Sequence, residues 1–223
     1  MTNEIRHHLT DAILMAYAAG SLNEAFSLMV ATHVSLCDEC RARLESYDAL
    51  GGALLDGIDA DAQAPVAEDS LAATLARIAA SDAGETAAMR PAPAPRGSVL
   101  PAPLRDYVGG DLEAIRWRPV GMGVKQAILK TGPGATARLL FIPAGTAMPD
   151  HGHHGTEMTM VLQGAFSDED DHFARGDVEI ADEEMQHTPV ADISEDCICL
   201  AVTDASLRFT SLLPRLAQPF LRI

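Results

Sequence analysis

Five residues spaced as Gly145-x5-His151-x-His153-x3-Glu157-x6-Gly164 restrict what this chain can fold into more than any other feature of it. Successive side chains of a strand point to opposite faces, so His151 and His153 share one side. Gly155 permits a loop after them, Glu157 returns on the next strand, and Gly145 and Gly164 mark turns. Two imidazoles and a carboxylate brought to one point suit a borderline divalent metal. His187 is the natural fourth donor, after a hairpin through Phe173-Ala-Arg-Gly176-Asp177. Such a convergence needs antiparallel strands around a shared interior. Short runs rich in Val, Ile, Leu and Thr supply them at Lys125–Leu129, Ala137–Ile142, Glu157–Leu162, Asp177–Ile180, Cys197–Val202 and Leu207–Leu212. Their length and even spacing predict an antiparallel barrel or sandwich.

Upstream the periodicity is helical. Thr10 is a candidate N-cap and Gly20 a stop; Ser21-x-x-Glu24 reads as a capping box opening a second helix, on which Phe26, Met29, Val30 and Val34 recur at helical spacing. A third helix is expected from about Asp38 through Leu44 and Tyr47 to the Gly51-Gly52 region, and a shorter fourth one capped by Asp69 or Ser70 and carrying Leu71, Leu75 and Ile78. Residues 1–82 therefore read as a small helical domain, and residues 104–223 as the β domain. Between them, residues 83–103 turn to Ala, Gly and Pro, with prolines at 91, 93, 95, 101 and 103, the composition of a semi-rigid spacer.

The helical part has its own donor cluster, His33-x3-Cys37-x2-Cys40. Residues four apart share a helical face, and a turn after Cys37 returns Cys40 to the same point. A structural zinc ion takes four N or S donors in a tetrahedron, and the nearest unassigned ones are His7 and His8. His8 is taken because it lies one residue closer to the helix, with His7 as the alternative. Ordinary core cysteines would serve the packing equally well, but they leave the helical His unexplained. A redox C-x-x-C lacks the strand that precedes it in a thioredoxin-like unit.

The spacing from Gly145 to Gly164 is similar to the first cupin motif in every position. The second cupin motif is matched at Gly176 and His187, with Asp182, Glu184 and Ala191 where Pro, Gly and Asn are usual. Ile5-Arg-His-His8 and Ala31-Thr-His-Val-Ser-Leu-Cys-Asp-Glu-Cys-Arg41 resemble the zinc-binding anti-sigma domain of bacterial regulators, in particular the ChrR group, built from that domain followed by a cupin. The resemblance implies a multidomain α + β protein: an all-α zinc-binding bundle, then an antiparallel cupin jelly roll. It implies zinc on His8, His33, Cys37 and Cys40. It also implies sequestration of a group IV (extracytoplasmic-function) sigma factor from RNA polymerase, with release in response to singlet oxygen. For His151, His153, Glu157 and His187 the donor chemistry admits zinc, iron, manganese or nickel. Any small molecule taken by the cupin is unspecified.

Charge bears on the partner. The 16 basic and 32 acidic side chains give −16, split evenly: 6 against 14 in residues 1–103 and 10 against 18 in 104–223, so −8 each. Neither half offers a basic face for a phosphate backbone, which argues against direct nucleic-acid binding and against reading the helices as a helix-turn-helix. A basic protein partner fits. No apolar run reaches the roughly 20 residues of a membrane helix, and a start without a signal-peptide core points to the reducing cytoplasm. Cys197 and Cys199 then read as small apolar residues of a core strand, with redox chemistry the alternative. The Met group at 148, 158, 160 and 185 likewise reads first as core filling, and Asp168–Asp171 as a solvated hairpin tip. The rival function is a metal-dependent dioxygenase or isomerase. Against it, the sequence offers no separate acid, base or substrate-binding cation at a definable spacing.

Overall fold

A computed structural model describes residues 4–58, 66–80, 97–152, 154–182, 185–205 and 208–209. Helix α1 (Asp11–Ala18) starts where the Thr10 hydroxyl accepts from the Ile13 amide at 3.3 Å. Helix α2 (Glu24–Val34) is capped not by Ser21 but by Asn23, whose side-chain oxygen takes the Phe26 amide at 3.2 Å. The expected capping box fails because Ser21 Oγ donates to Ala16 O in the preceding turn, while Glu24 reaches across the chain to Tyr107 and the Gly132 amide. Helix α3 (Asp38–Asp56) runs through Gly51 and Gly52 to a cap at Gly57. Interior glycine weakens a helix by about 1 kcal/mol without obstructing its ladder, so the pair does not end it. Helix α4 (Ser70–Ala80) follows the expected pattern.

The spacer differs at its downstream end; residues 83–96 lie outside those described. Leu100 and Leu104 are buried, the Asp111 carboxylate accepts from the Val99 and Leu100 amides at 2.9 and 3.0 Å, and α5 (Ala102–Val108) starts at Pro101. Prolines 101 and 103 thus open a helix, where a missing N–H costs nothing, and this end packs into the core.

Strands β1 (Arg118–Gly121), β2 (Val124–Ile128), β3 (Thr136–Ile142), β11 (Cys197–Thr203), β5 (Glu157–Gln163) and β8 (Val178–Ala181) form one antiparallel sheet in the order β1-β2-β3-β11-β5-β8. Two three-stranded sheets face it. One is β10 (Val190–Ala191), β6 (Ala165–Ser167) and β7 (His172–Ala174); the other is β12 (Arg208–Phe209), β4 (His151–Gly152) and β9 (Gln186–His187). Of the strand expected at Leu207–Leu212, only Arg208 and Phe209 lie among the described residues.

The period-two alternation sorts the large sheet into two faces. Leu139, Met158, Met160, Leu200 and Val202 form one cluster with Phe26, Met29 and Val30 of α2, so helices and sheet share a core. Each such fully buried side chain contributes roughly 1.5–3 kcal/mol. Met158 and Met160 therefore lie on the face away from Glu157, which favours core filling. The opposite face carries Ile142, Val161, Cys197 and Cys199, packed on Phe166 and Phe173.

One turn stitches the modules together. The Asp177 carboxylate accepts from the Arg6 and His7 amides at 2.6 and 2.9 Å and from the Ala174 amide at 2.9 Å, while Val178 N donates to His7 O. Gly176 has φ +94°, and a Cβ there would meet Ile5 Cδ1 at 2.6 Å. The positive φ requires glycine, and any larger residue would also displace the Ile5 side chain.

Candidate metal centres

The first centre is assembled by two helix ends and the segment that precedes α1. His33 sits in the last turn of α2; Cys37 is the N-cap of α3, its Sγ accepting from the Cys40 amide at 3.4 Å; His8 arrives on the strand-like segment pinned by Asp177. Donor atoms of His8, His33, Cys37 and Cys40 all lie within 4.8 Å of one another. His8 Nδ1 stands 3.3 Å from Cys37 Sγ and 3.6 Å from Cys40 Sγ. Zinc bonds of 2.0–2.3 Å at tetrahedral angles would separate donors by roughly 3.5 Å, so the cage has the right size. His8 Nε2 faces Glu39 Oε2 at 3.4 Å, which turns Nδ1 toward the thiols.

His33 makes the more telling fit. It is fully buried, its Nδ1 stands 2.9 Å from Gly176 O, and its Nε2 is buried with no hydrogen-bond partner among the described residues. A carbonyl can only accept, so Nδ1 holds the proton and Nε2 presents a lone pair inward. Burial pushes His33 down to about 4, which keeps it neutral, and pushes the Cys40 thiol up to about 11. His7, the alternative donor, lies elsewhere: its Nε2 pairs with Asp171 at 2.9 Å and its ring packs on Phe173.

At the second centre, β4 and β9 pair His151 directly with His187, and the two Nε2 atoms stand 3.2 Å apart. Their outer nitrogens are held: His151 Nδ1 by Pro149 O at 2.9 Å and His187 Nδ1 by Glu179 Oε1 at 2.8 Å. Glu157, buried at the start of β5, accepts from Thr159 Oγ1 at 3.1 Å. A Cβ at Gly155 would meet the Asp204 carboxylate, which takes the Thr156 amide, so a larger residue there would displace that contact just ahead of Glu157. His153 lies outside the described residues. His154 and His172 are exposed.

Two residues here were not expected. Glu179 orients His187, the outer-shell carboxylate that imidazole ligands commonly have. Asp168 corrects the reading of residues 168–171 as a solvated tip: its side chain is 4% exposed and lies 3.8 Å from His187 Nδ1. Its sequence neighbours disguise it, since Glu169, Asp170 and Asp171 are exposed. Burial works to raise Asp168, but the Asp171 and Asp170 amides and His187 outweigh it and hold it below its ordinary value. Burial likewise pulls His187 down, while Glu179, Glu157 and Asp168 push it above its ordinary value. Burial raises Glu179. On the neighbouring strand, Cys197 and Cys199 are buried with their sulfurs 3.5 Å apart.

Fold and sites together define a class: a cupin-domain protein whose barrel is joined to a helical module bearing a cluster of thiols and imidazoles. Residues 106–206 match the model of the ChrR cupin-like domain. The chain is 60% identical over 222 residues to the anti-sigma-E factor ChrR of Cereibacter sphaeroides, covering 98% of this chain and 99% of that one. It also resembles a chain in the crystal structure of Rhodobacter sphaeroides SigE in complex with the anti-sigma ChrR. That match has 56% identity and a TM-score of 0.74, over 90% of this chain and 99% of that one. The chain belongs to the ChrR family of anti-sigma factors. It is thus a regulator rather than a dioxygenase or isomerase.

Proposed function

We propose that this chain sequesters a group IV sigma factor from RNA polymerase in the cytoplasm and frees it on an oxidative signal, singlet oxygen, sensed through the cupin. The carrying observation is full-length likeness to a protein named as an anti-sigma factor, together with likeness to a chain bound to SigE. The surface that would dock the sigma factor is apolar and uncovered among the described residues. Leu71, Leu75 and Ile78 recur at one face of α4 and are 55–72% exposed, and Leu50, Leu54, Leu55 and Ile58 continue the pattern at the end of α3. Seven large apolar side chains in the open mark an interaction site. The charge of −16 favours fast encounter with a basic partner.

His8, His33, Cys37 and Cys40 would hold zinc, and His151, His153, Glu157 and His187 a second divalent ion, either zinc, iron, manganese or nickel. Zinc supplies the first site with a cross-link between the N-terminal segment, α2 and α3 that a bundle this small needs. The test is co-purification with the sigma factor from the native host, with metal analysis. Recovery of a sigma-free chain, or a complex indifferent to replacement of Leu71 and Leu75 by Asp, would refute the reading.

A further inference from the structure

The inner face of the cupin sheet holds a cation that spacing does not reveal. Arg138 lies in the middle of β3, 5% exposed, between Ala137 and Leu139. Its Nε and Nη1 are buried with no hydrogen-bond partner, and it makes no ion pair, among the described residues. A guanidinium cannot shed its proton, so it cannot escape the cost by neutralising. Burial presses Arg138 below its ordinary value and the Glu157 charge offsets part of this. A buried guanidinium with Glu157 only at coulombic range and no hydrogen-bonded acceptor among the described residues calls for an acceptor from outside the fold.

The register shows where it would sit. Arg138 pairs with Ala201, Ala201 with Thr159, and Thr159 with Glu179, so the four form one row across β3, β11, β5 and β8. Ala201 is the small member, leaving low ground between Arg138 and Thr159, which stand two strand spacings, roughly 10 Å, apart. Two residues along β3 in one direction, the next row is apolar, with Leu140, Cys199 and Val161. In the other direction lie Thr203 and Glu157. Among the described residues the site thus has one cationic side chain at its centre, an apolar wall on one side and hydroxyl and carboxylate groups on the other.

We propose that the cupin interior binds a small monocarboxylate, its oxygens accepting from Arg138 and its hydrocarbon part lying against Leu140, Val161 and Cys199. A carboxylate matches the planar guanidinium in shape and charge, and the wall suits a short apolar body. This goes beyond sigma docking, and its test needs no partner.

Calorimetric titration of the purified full chain with butyrate and benzoate should show one saturable site, with butyramide, phosphate and sulfate binding at least roughly ten-fold more weakly, the scale of a lost charge-assisted hydrogen bond. Arg138→Met should keep or raise the melting temperature without added ligand, because an apolar side chain of similar volume removes an unmatched charge. It should also abolish the butyrate response. Arg138→Lys should retain a weaker one. Four results would each overturn the proposal: no binding by either carboxylate, binding led by phosphate or sulfate, butyrate binding unchanged in Arg138→Met, or an Arg138→Met chain that no longer folds.

Discussion

His33 shows how much one side chain can carry. It donates through Nδ1 to Gly176 O and turns Nε2 into the cage, so replacing it removes a donor and strips a buried carbonyl of its partner. His33→Ala is expected to remove one equivalent of zinc from the purified chain, measured by elemental analysis. Cys37→Ser should do the same while keeping the α3 cap, since a hydroxyl caps at least as well as a thiol. In the chelator-stripped protein, burial holds His33 at about 4 against 6.5 unfolded. The stabilisation is then complete above pH 6.5 and is lost as pH falls toward 4, by about 3 kcal/mol. Melts of the stripped chain across that window check the sign, and rising stability on acidification would contradict it. His33, Cys37 and Cys40 were legible because helical spacing converts directly into proximity, whereas His8, which precedes the first helix, was reached through the family resemblance and its nearness in the chain. Glu179 and Arg138 were not, because strand spacing gives the face but not the neighbour. Their one signal in the sequence is a lone charge between apolar residues, as in Val178-Glu-Ile-Ala181 and Ala137-Arg-Leu139.

Among the elements, α2 and α4 make opposite use of their apolar faces. Seven of the eleven residues of α2 are buried, and none of α4 is. Periodicity alone reads the same in both, which is why the sequence locates the helices without saying which is covered. Replacing Leu71 and Leu75 together by Asp should change the melting temperature little, as for exposed positions generally. It should weaken sigma binding at least ten-fold in a pull-down or titration. The N-terminus of α2 gives a sharper contrast. Asn23→Ala should cost about 1 kcal/mol in chemical denaturation, whereas Ser21→Ala should cost less than about 0.5 kcal/mol, as a surface change does. Equal effects would restore the capping box to Ser21.

For the molecule as a whole, the expected division at residues 83–103 has to be read with the shared core in view. Phe26, Met29 and Val30 pack on β3, β5 and β11, so a fragment ending at residue 96 would bare that face. Such a fragment should hold zinc more weakly than the intact chain, take up an apolar dye and melt below it. Asp177→Ala should cost about 3 kcal/mol, since three backbone amides lose their acceptor at once. It should also weaken zinc retention, because the segment bearing His8 comes loose. A run of four residues, Gly176 to Glu179, spans from the carbonyl that steadies one imidazole to the carboxylate that steadies another. Strain entering at either end has a short, stiff path to the opposite one. Whatever free energy the two clusters exchange through it must be mutual: a ligand held at the first would change the affinity of the second by the same factor as a ligand at the second changes that of the first.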